Sequence, residues 1–216
     1  MNHRSPHRAP AQKLRERFRE ATNEAILAAA EKVFAAQGLS AAKMEAIAGE
    51  AGVAVGTLYN HFQDRESLLV ELVAHRRQQM VDRMDKALAT TERQPFQEQL
   101  RALLTALCEH LEAHQAFLAI WMECEASRSQ NLRQLLGNPN RELRHADEIF
   151  RRVETLVRRG LREKALRAEG AEIYPAMLMG MFKGFMVRRL ANPELHKPLD
   201  LRVDQMTQFF LHGAGA

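Results

Sequence analysis

Helical periodicity runs through almost the whole of this 216-residue chain, and strand signals are nearly absent. Elements of that kind bury their apolar stripes against one another, so the pattern predicts an all-α fold of about nine helices. Ile26, Ala30, Val33, Phe34 and Gln37 mark one helical face, with Thr22 as the expected N-cap and Gly38 as the stop. A short helix follows with Met44, Ile47, Ala48 and Ala51 on one side, and Gly52 ends it. A third short helix turns Leu58 and Phe62 inward, and Asp64 is placed to cap a long helix from Arg65 to the region of Ala87.

Further along, "TTERQP" (90–95) reads as a linker with Pro95 opening the next helix. Phe96 to Ser127 is helical and strongly apolar, with a break expected near His114. "GNPN" (137–140) is a turn, a charged amphipathic helix is expected from Glu142 to Leu166, and "RAEGAE" (167–172) breaks the pattern again. Residues 173–190 form an apolar helix, 191–200 a loop, and Asp200 is the expected cap of a last helix ending near His212. The organisation predicted is a basic N-terminal arm (1–20), a helix-turn-helix DNA-binding domain (21–66) and an effector-binding and dimerisation domain (67–216).

Several classes fall away on composition. No apolar run approaches the roughly 18 residues of a membrane span, and the basic N-terminus has no apolar core behind it, as a secretory signal would. A cytoplasmic location without membrane contact is the expectation, and Cys108 and Cys124, both in apolar helical stretches, fit it as small buried hydrophobes. The net charge of +4 is modest, but residues 1–20 hold Arg4, Arg8, Lys13, Arg15, Arg17 and Arg19 against only Glu16 and Glu20, the footprint of a polyanion-binding arm or of a solvated tail. No nucleophile elbow, P-loop or dinucleotide fingerprint is present, so no enzyme activity and no cofactor is expected. His110 and His114 have i, i+4 spacing, but no HExxH motif accompanies them and Cys108 points to another face, so no metal site is expected.

The stretch "EAGVAVGTLYNHF" (50–62) concentrates the functional signal. Two short helices joined at Gly52 make a helix-turn-helix, because glycine takes the positive φ that a tight turn requires. The second helix can then enter the DNA major groove. Gly56 lets the backbone approach a phosphate, and Thr57, Tyr59, Asn60 and His61 supply polar contacts. Tyr59 lies about 100° around the helix from Leu58, toward the exposed side.

Across residues 22–69 the sequence resembles the N-terminal DNA-binding region of the TetR family of bacterial transcriptional regulators. The resemblance rests on the apolar first helix and its glycine, Ile47-Ala48, Gly52-Val53, Gly56-Thr57-Leu58-Tyr59-x-x-Phe62 and "DRESLL". It implies that Thr57 and Tyr59 touch phosphate or base edges, that His61 faces the DNA backbone, and that Arg65 stands where the family usually has a phosphate-binding lysine. Lys43 takes the place of a phosphate-contacting threonine. Val55 and Ala54 replace commonly polar residues and are suited to thymine methyls, and Glu45 replaces a residue that is often basic. Together the expected DNA contacts are Lys43, Val55, Gly56, Thr57, Tyr59, Asn60, His61 and Arg65.

For the C-terminal half the resemblance implies a small-molecule effector cavity, of unknown ligand, and a homodimer made by the last two helices. Leu107, His114, Phe117, Trp121 and Cys124 are the candidate pocket residues, Trp121 foremost; the same apolar stripe is also what plain core looks like. Met177, Gly180, Met181, Gly184, Met206 and Phe210 are the candidate interface, the i, i+4 glycine pair marking either a close approach to a second copy or packing within one chain. The function expected is a one-component repressor released from a near-palindromic double-stranded operator by its effector. The alternatives are a DNA-binding protein regulated by partners or acting architecturally, and an all-α enzyme with a degenerate head.

Overall fold

The computed structural model describes residues 10–126, 139–192 and 197–214, with side chains described at 12–121, 148–189, 191–192 and 197–213. Arg4, Arg8 and residues 137–138 of the expected turn lie outside the described residues, as does the side chain of Cys124, while Pro139 and Asn140 already belong to a helix that begins before the expected Glu142. Nine α-helices and one 3-10 turn are present among the described residues: α1 (Pro10–Gln37), α2 (Met44–Ala51), α3 (Val55–His61), α4 (Arg65–Thr90), α5 (Phe96–Ala113), α6 (Gln115–Ala126), α7 (Pro139–Arg162), the turn Ala171–Ile173, α8 (Tyr174–Ala191) and α9 (Leu199–Ala214). Internal contacts divide the chain into two compact units, Met1–Leu72 and Val73–Ala216.

In the first unit α1 packs chiefly on α2. Its core holds Ile26, Leu27, Ala30, Phe34, Ile47, Leu58 and Leu68, each 1% exposed or less. Helix α1 starts at Pro10, well before the expected cap at Thr22. Proline is pre-organised for a first turn, and Gln12 to Glu20 contains good helix formers apart from Phe18 and neither Gly nor Pro, so nothing stops the helix there. Thr22 consequently sits mid-helix, its hydroxyl donating to the Phe18 carbonyl at 2.8 Å. Asp64 does cap α4: its Oδ1 accepts from the Ser67 N–H at 2.7 Å, while Ser67 Oγ accepts from the Asp64 N–H at 3.1 Å. This is a capping box with serine in the usual glutamate position.

The second unit is built around α5, which contacts α6, α7 and α9. Leu100, Leu103 and Leu104 are fully buried along it. His114, with φ −126° and ψ 53°, breaks α5 from α6 where the sequence placed the break. Helix α7 ends at Arg162, short of the expected Leu166. Lys164 adopts φ 57° and the N–H groups of Ala165 and Leu166 both turn back to the Gly160 carbonyl. Leu166 is thereby buried over Gly160, where an added Cβ would meet Leu166 Cδ1 at 2.8 Å and the Phe96 ring at 2.8 Å. Gly160 is therefore a close-approach glycine within the chain, whereas Gly180 and Gly184 have nothing among the described residues within 4 Å of such a Cβ. Asp200 lies in the first turn of α9, which starts one residue earlier than expected.

Two ion-pair nodes knit this unit. Arg152 grips Asp85 with two bonds of 2.6 Å, the bidentate geometry that makes guanidinium–carboxylate pairs strong. Arg159 donates to the carbonyls of Glu92 and Gln94 at 2.6 and 2.8 Å and also pairs with Glu163. Glu163 in turn accepts from the Phe96 N–H at 2.9 Å, supplying the acceptor that Pro95 cannot. The "TTERQP" linker is thus held in place by α7.

The Arg152 hydrogen bonds hold the Asp85 carboxyl below its usual range, and those of Arg159 do the same for Glu163. A carboxylate with a depressed folded pKa contributes stability that is present above its unfolded value, near 4, and lost as pH falls through the folded value. Asp85→Asn should therefore flatten the loss of stability between neutral pH and about pH 3 in urea titrations; an unchanged pH profile would show that the pair contributes nothing. Gly160→Ala should cost about 1–3 kcal/mol from overpacking. Gly49→Ala, in a helix and open on its Cβ side, should gain up to about 1 kcal/mol.

Candidate nucleic-acid interface

The turn between α2 and α3 depends on Gly52, whose φ is 67°. The Val53 N–H reaches the Ala48 carbonyl at 3.0 Å and the Gly52 N–H the Gly49 carbonyl at 3.2 Å. These two bonds are a Schellman closure, which needs the left-handed residue at this position. The turn lets α3 leave α2 with one narrow face inward. Leu58 is fully buried and Phe62 is 6% exposed.

Everything else on α3 faces away from that core. Tyr59 is 48% exposed and Val55 38%. Gly56 and Asn60 are also exposed, and Thr57 and His61 are half-buried. A Cβ at Gly56 would meet nothing within 4 Å, so no internal packing demands glycine there. Tyr59 is therefore a surface residue and not part of the core. Lys43 is exposed at the N-cap of α2, and Glu45 is exposed within its first turn. Lys32 and Glu50 form an exposed pair at 2.9 Å; a pair of that kind adds little stability.

Arg65 stands apart from the other candidates. Its Nη1 donates to the Ser40 carbonyl at 2.5 Å and its Nη2 pairs with Glu66 at 2.7 Å. It ties the start of α4 to the loop that leads into α2. The sequence carried no signal for this contact, since Ser40 lies 25 residues away. His61 borders a groove of about 550 Å³ together with Arg19 and the carboxylates of Glu16, Glu20 and Glu71. Leu14 and Phe18, on the early turns of α1, are 54% and 65% exposed.

In the second unit the expected pocket residues differ in burial, and the side chain of Cys124 lies outside the described residues. Leu107 and Phe117 are core residues, each 1% exposed. Trp121 is half-buried with Lys183 Nζ 5.5 Å from its ring centre, a cation–π arrangement. His114 is half-buried, 4.9 Å ring to ring from the buried His110. No three metal-ligating side chains converge among the described residues, and no described helix is long and apolar enough to cross a membrane. Of the interface candidates, Met177, Met181 and Phe210 line one apolar groove of about 670 Å³ with Ile173, Tyr174 and Phe209. Met206 is 1% exposed and belongs to the core. Ile173, at 50% exposure, and Leu201, at 49%, were not singled out from the sequence.

Comparison with known proteins agrees with this geometry. Residues 26–72 match the family described as bacterial regulatory proteins, tetR family. The chain is 24% identical over 175 residues to YhgD, an uncharacterised HTH-type transcriptional regulator of Bacillus subtilis, covering 81% of this chain and 86% of that one. It is 34% identical over 113 residues to the fatty acid metabolism regulator protein of Bacillus subtilis, covering 52% and 57% respectively. Among solved structures, FadR from Bacillus subtilis in complex with stearoyl-CoA shares the fold with a TM-score of 0.74 at 19% identity, over 88% of this chain and 98% of that one. The head, residues 26–72, thus matches the tetR family and carries a helix-turn-helix, and the fold along most of the chain's length is the one FadR has.

Proposed function

We propose that the protein is a homodimeric one-component repressor, released from a near-palindromic operator by a small molecule bound in Val73–Ala216. The observation that carries the reading is the outward face of α3, with Tyr59 48% exposed beside the fully buried Leu58. Lys43, Thr57, Tyr59, Asn60 and His61 supply donors for phosphates and base edges, and Val55 an apolar contact for a thymine methyl. Gly56 keeps the backbone open to a phosphate. Arg65, whose nitrogens go to Ser40 and Glu66, takes a positioning part.

The dimer reading rests on the face of α8 and α9 that the chain leaves uncovered. Met177, Gly180 and Gly184 follow one another at helical spacing on α8, Ile173 stands just before it, and all four are exposed; Phe209 on α9 is 73% exposed. A contiguous apolar surface of this kind marks an interface. The likeness to FadR bound to stearoyl-CoA supports an effector with a long apolar chain.

Operator binding, followed by fluorescence anisotropy at fixed salt, tests the head. Tyr59→Phe should weaken it by about fivefold, the worth of one net hydrogen bond, with helicity unchanged. Unaltered affinity would remove Tyr59 from the interface. Arg65→Ala should lower the head's stability by about 1 kcal/mol while keeping the salt slope of binding. A slope reduced by about one would make Arg65 a phosphate contact instead. Phe209→Glu combined with Met177→Glu should give a monomer by light scattering and abolish cooperative occupation of the two half-sites. A wild type that is already monomeric at micromolar concentration ends the dimer reading.

A further inference from the structure

Charge in the second unit is out of balance at one place. Glu112, in the last turn of α5, is shared by two arginines: Arg202 Nη2 donates to its Oε1, and Arg189 Nη1 lies 3.3 Å from the same oxygen. The other carboxylate nearby on α9, Asp204, is taken by Arg101. Arginine cannot shed its proton inside a protein, so among the described side chains one positive charge is left over where these two guanidiniums sit.

That charge is also deeply placed. The Arg202 side chain is 6% exposed and that of Arg189 14%. Arg202 Nε donates to the Lys197 carbonyl at 2.9 Å. Arg202 Nη1 and Arg189 Nε are buried with no hydrogen-bond partner among the described residues. Buried donors left unmade and a buried charge left unpaired are both costly, and a fold that keeps them is holding them for something. Arg202 also occupies the first turn of α9, the helix end that favours anions and disfavours cations. A structural arginine gains nothing from that location; an anion bound to it does.

We infer that Arg189 and Arg202 form the binding site for the anionic group, carboxylate or phosphate, of the effector, with Glu112 as the resident anion it displaces. Two oxygens of one anion satisfy the two idle donors, as carboxylate and phosphate satisfy paired guanidinium groups elsewhere. The arginines come from α8 and α9 and Glu112 from α5, so exchanging Glu112 for a ligand changes what ties these three helices together. The inference rests on the reading of this unit as the effector-binding half and adds the chemistry of the ligand's polar end.

The test uses the full chain and its variants Arg202→Met, Arg189→Met and Glu112→Gln, each checked for helicity by circular dichroism. The probes are dodecanoate, its uncharged methyl ester, and inorganic phosphate against chloride at matched ionic strength. Binding is read from the fluorescence of Trp121, the chain's only tryptophan, and from the shift in thermal unfolding. The wild type should bind dodecanoate more tightly than the ester. Either arginine variant should lose about tenfold or more toward both anions, as removal of a charge-assisted bond does, with the ester unaffected. Glu112→Gln should bind both anions more tightly, because the internal competitor is gone; a purely structural cluster predicts only lost stability. If both arginine variants fail to fold, the sign of the Glu112→Gln effect decides. Acid and ester bound alike, with no variant altering either, overturns the anion site and leaves the effector reading standing. Phosphate bound through the arginines while neither chain-bearing probe binds keeps the site and ends the reading of an apolar effector. No anion bound by wild type or Glu112→Gln overturns the inference outright.

Discussion

The outward face of the head depends on one residue held at positive φ. Gly52 closes α2 with two hydrogen bonds that a right-handed residue could not make, and so sets the direction in which α3 departs. With that direction fixed, α3 needs only a single buried leucine and the phenylalanine after it to stay seated. Its remaining side chains are released from packing duty and can be chosen for contact. A side chain at position 52 would force the backbone out of this region or hold it there under strain, and either result re-aims Tyr59 and Asn60 together. Arg65 supports the same arrangement from the other side, by fastening the loop before α2 to the start of α4.

The second unit is organised by a different constraint, the close passage of α7 over the start of α5. Gly160 permits it sterically, and Glu163 and Arg159 make it specific by taking the first N–H of α5 and two carbonyls of the linker. The hydrophobic core of α5 then needs no special shape, since its register is set by polar contacts at one end. Polar groups that fix register at some cost in desolvation are a known use of partly buried charge.

Much of this was legible from residue order. Helix number, the break at His114, the Asp64 cap and the turn at Gly52 all follow from local chemistry, which a sequence displays directly. The exposed row on α3 followed from spacing alone, because an i, i+4 apolar pair leaves the intervening residues outside. What was not legible was long-range. Arg65 and Ser40 are far apart in the chain, and so are Arg159 and the linker it holds. Gly160 gave no sign of its role, because a glycine near a helix end reads as a stop, whereas the pair at Gly180 and Gly184 attracted notice by its spacing. The pocket residues were chosen as an apolar stripe, and a stripe looks the same whether it lines a cavity or fills a core. Thr22 failed as a cap because the residues before it, whose spacing is helix-compatible from Lys13 onward, continue the helix through it.

That continuation of α1 changes the character of the basic segment. Pro10 to Ala21 spans about 18 Å as a helix, with Lys13, Arg15, Arg17 and Arg19 on a scaffold whose backbone is already ordered. A coil of the same composition would lose its conformational freedom on meeting a polyanion, and that loss would offset part of the electrostatic gain. Here the ordering is complete beforehand. The charges move as a rigid set with the head, and Leu14 and Phe18 travel with them as a fixed apolar pair. Lys13 and Arg17 project from one side of it and Arg15 and Arg19 from the opposite side, so the segment meets a surface as a straight rod charged on two faces. Its selectivity is therefore one of shape, where a loose arm of equal charge would accept any phosphate within reach.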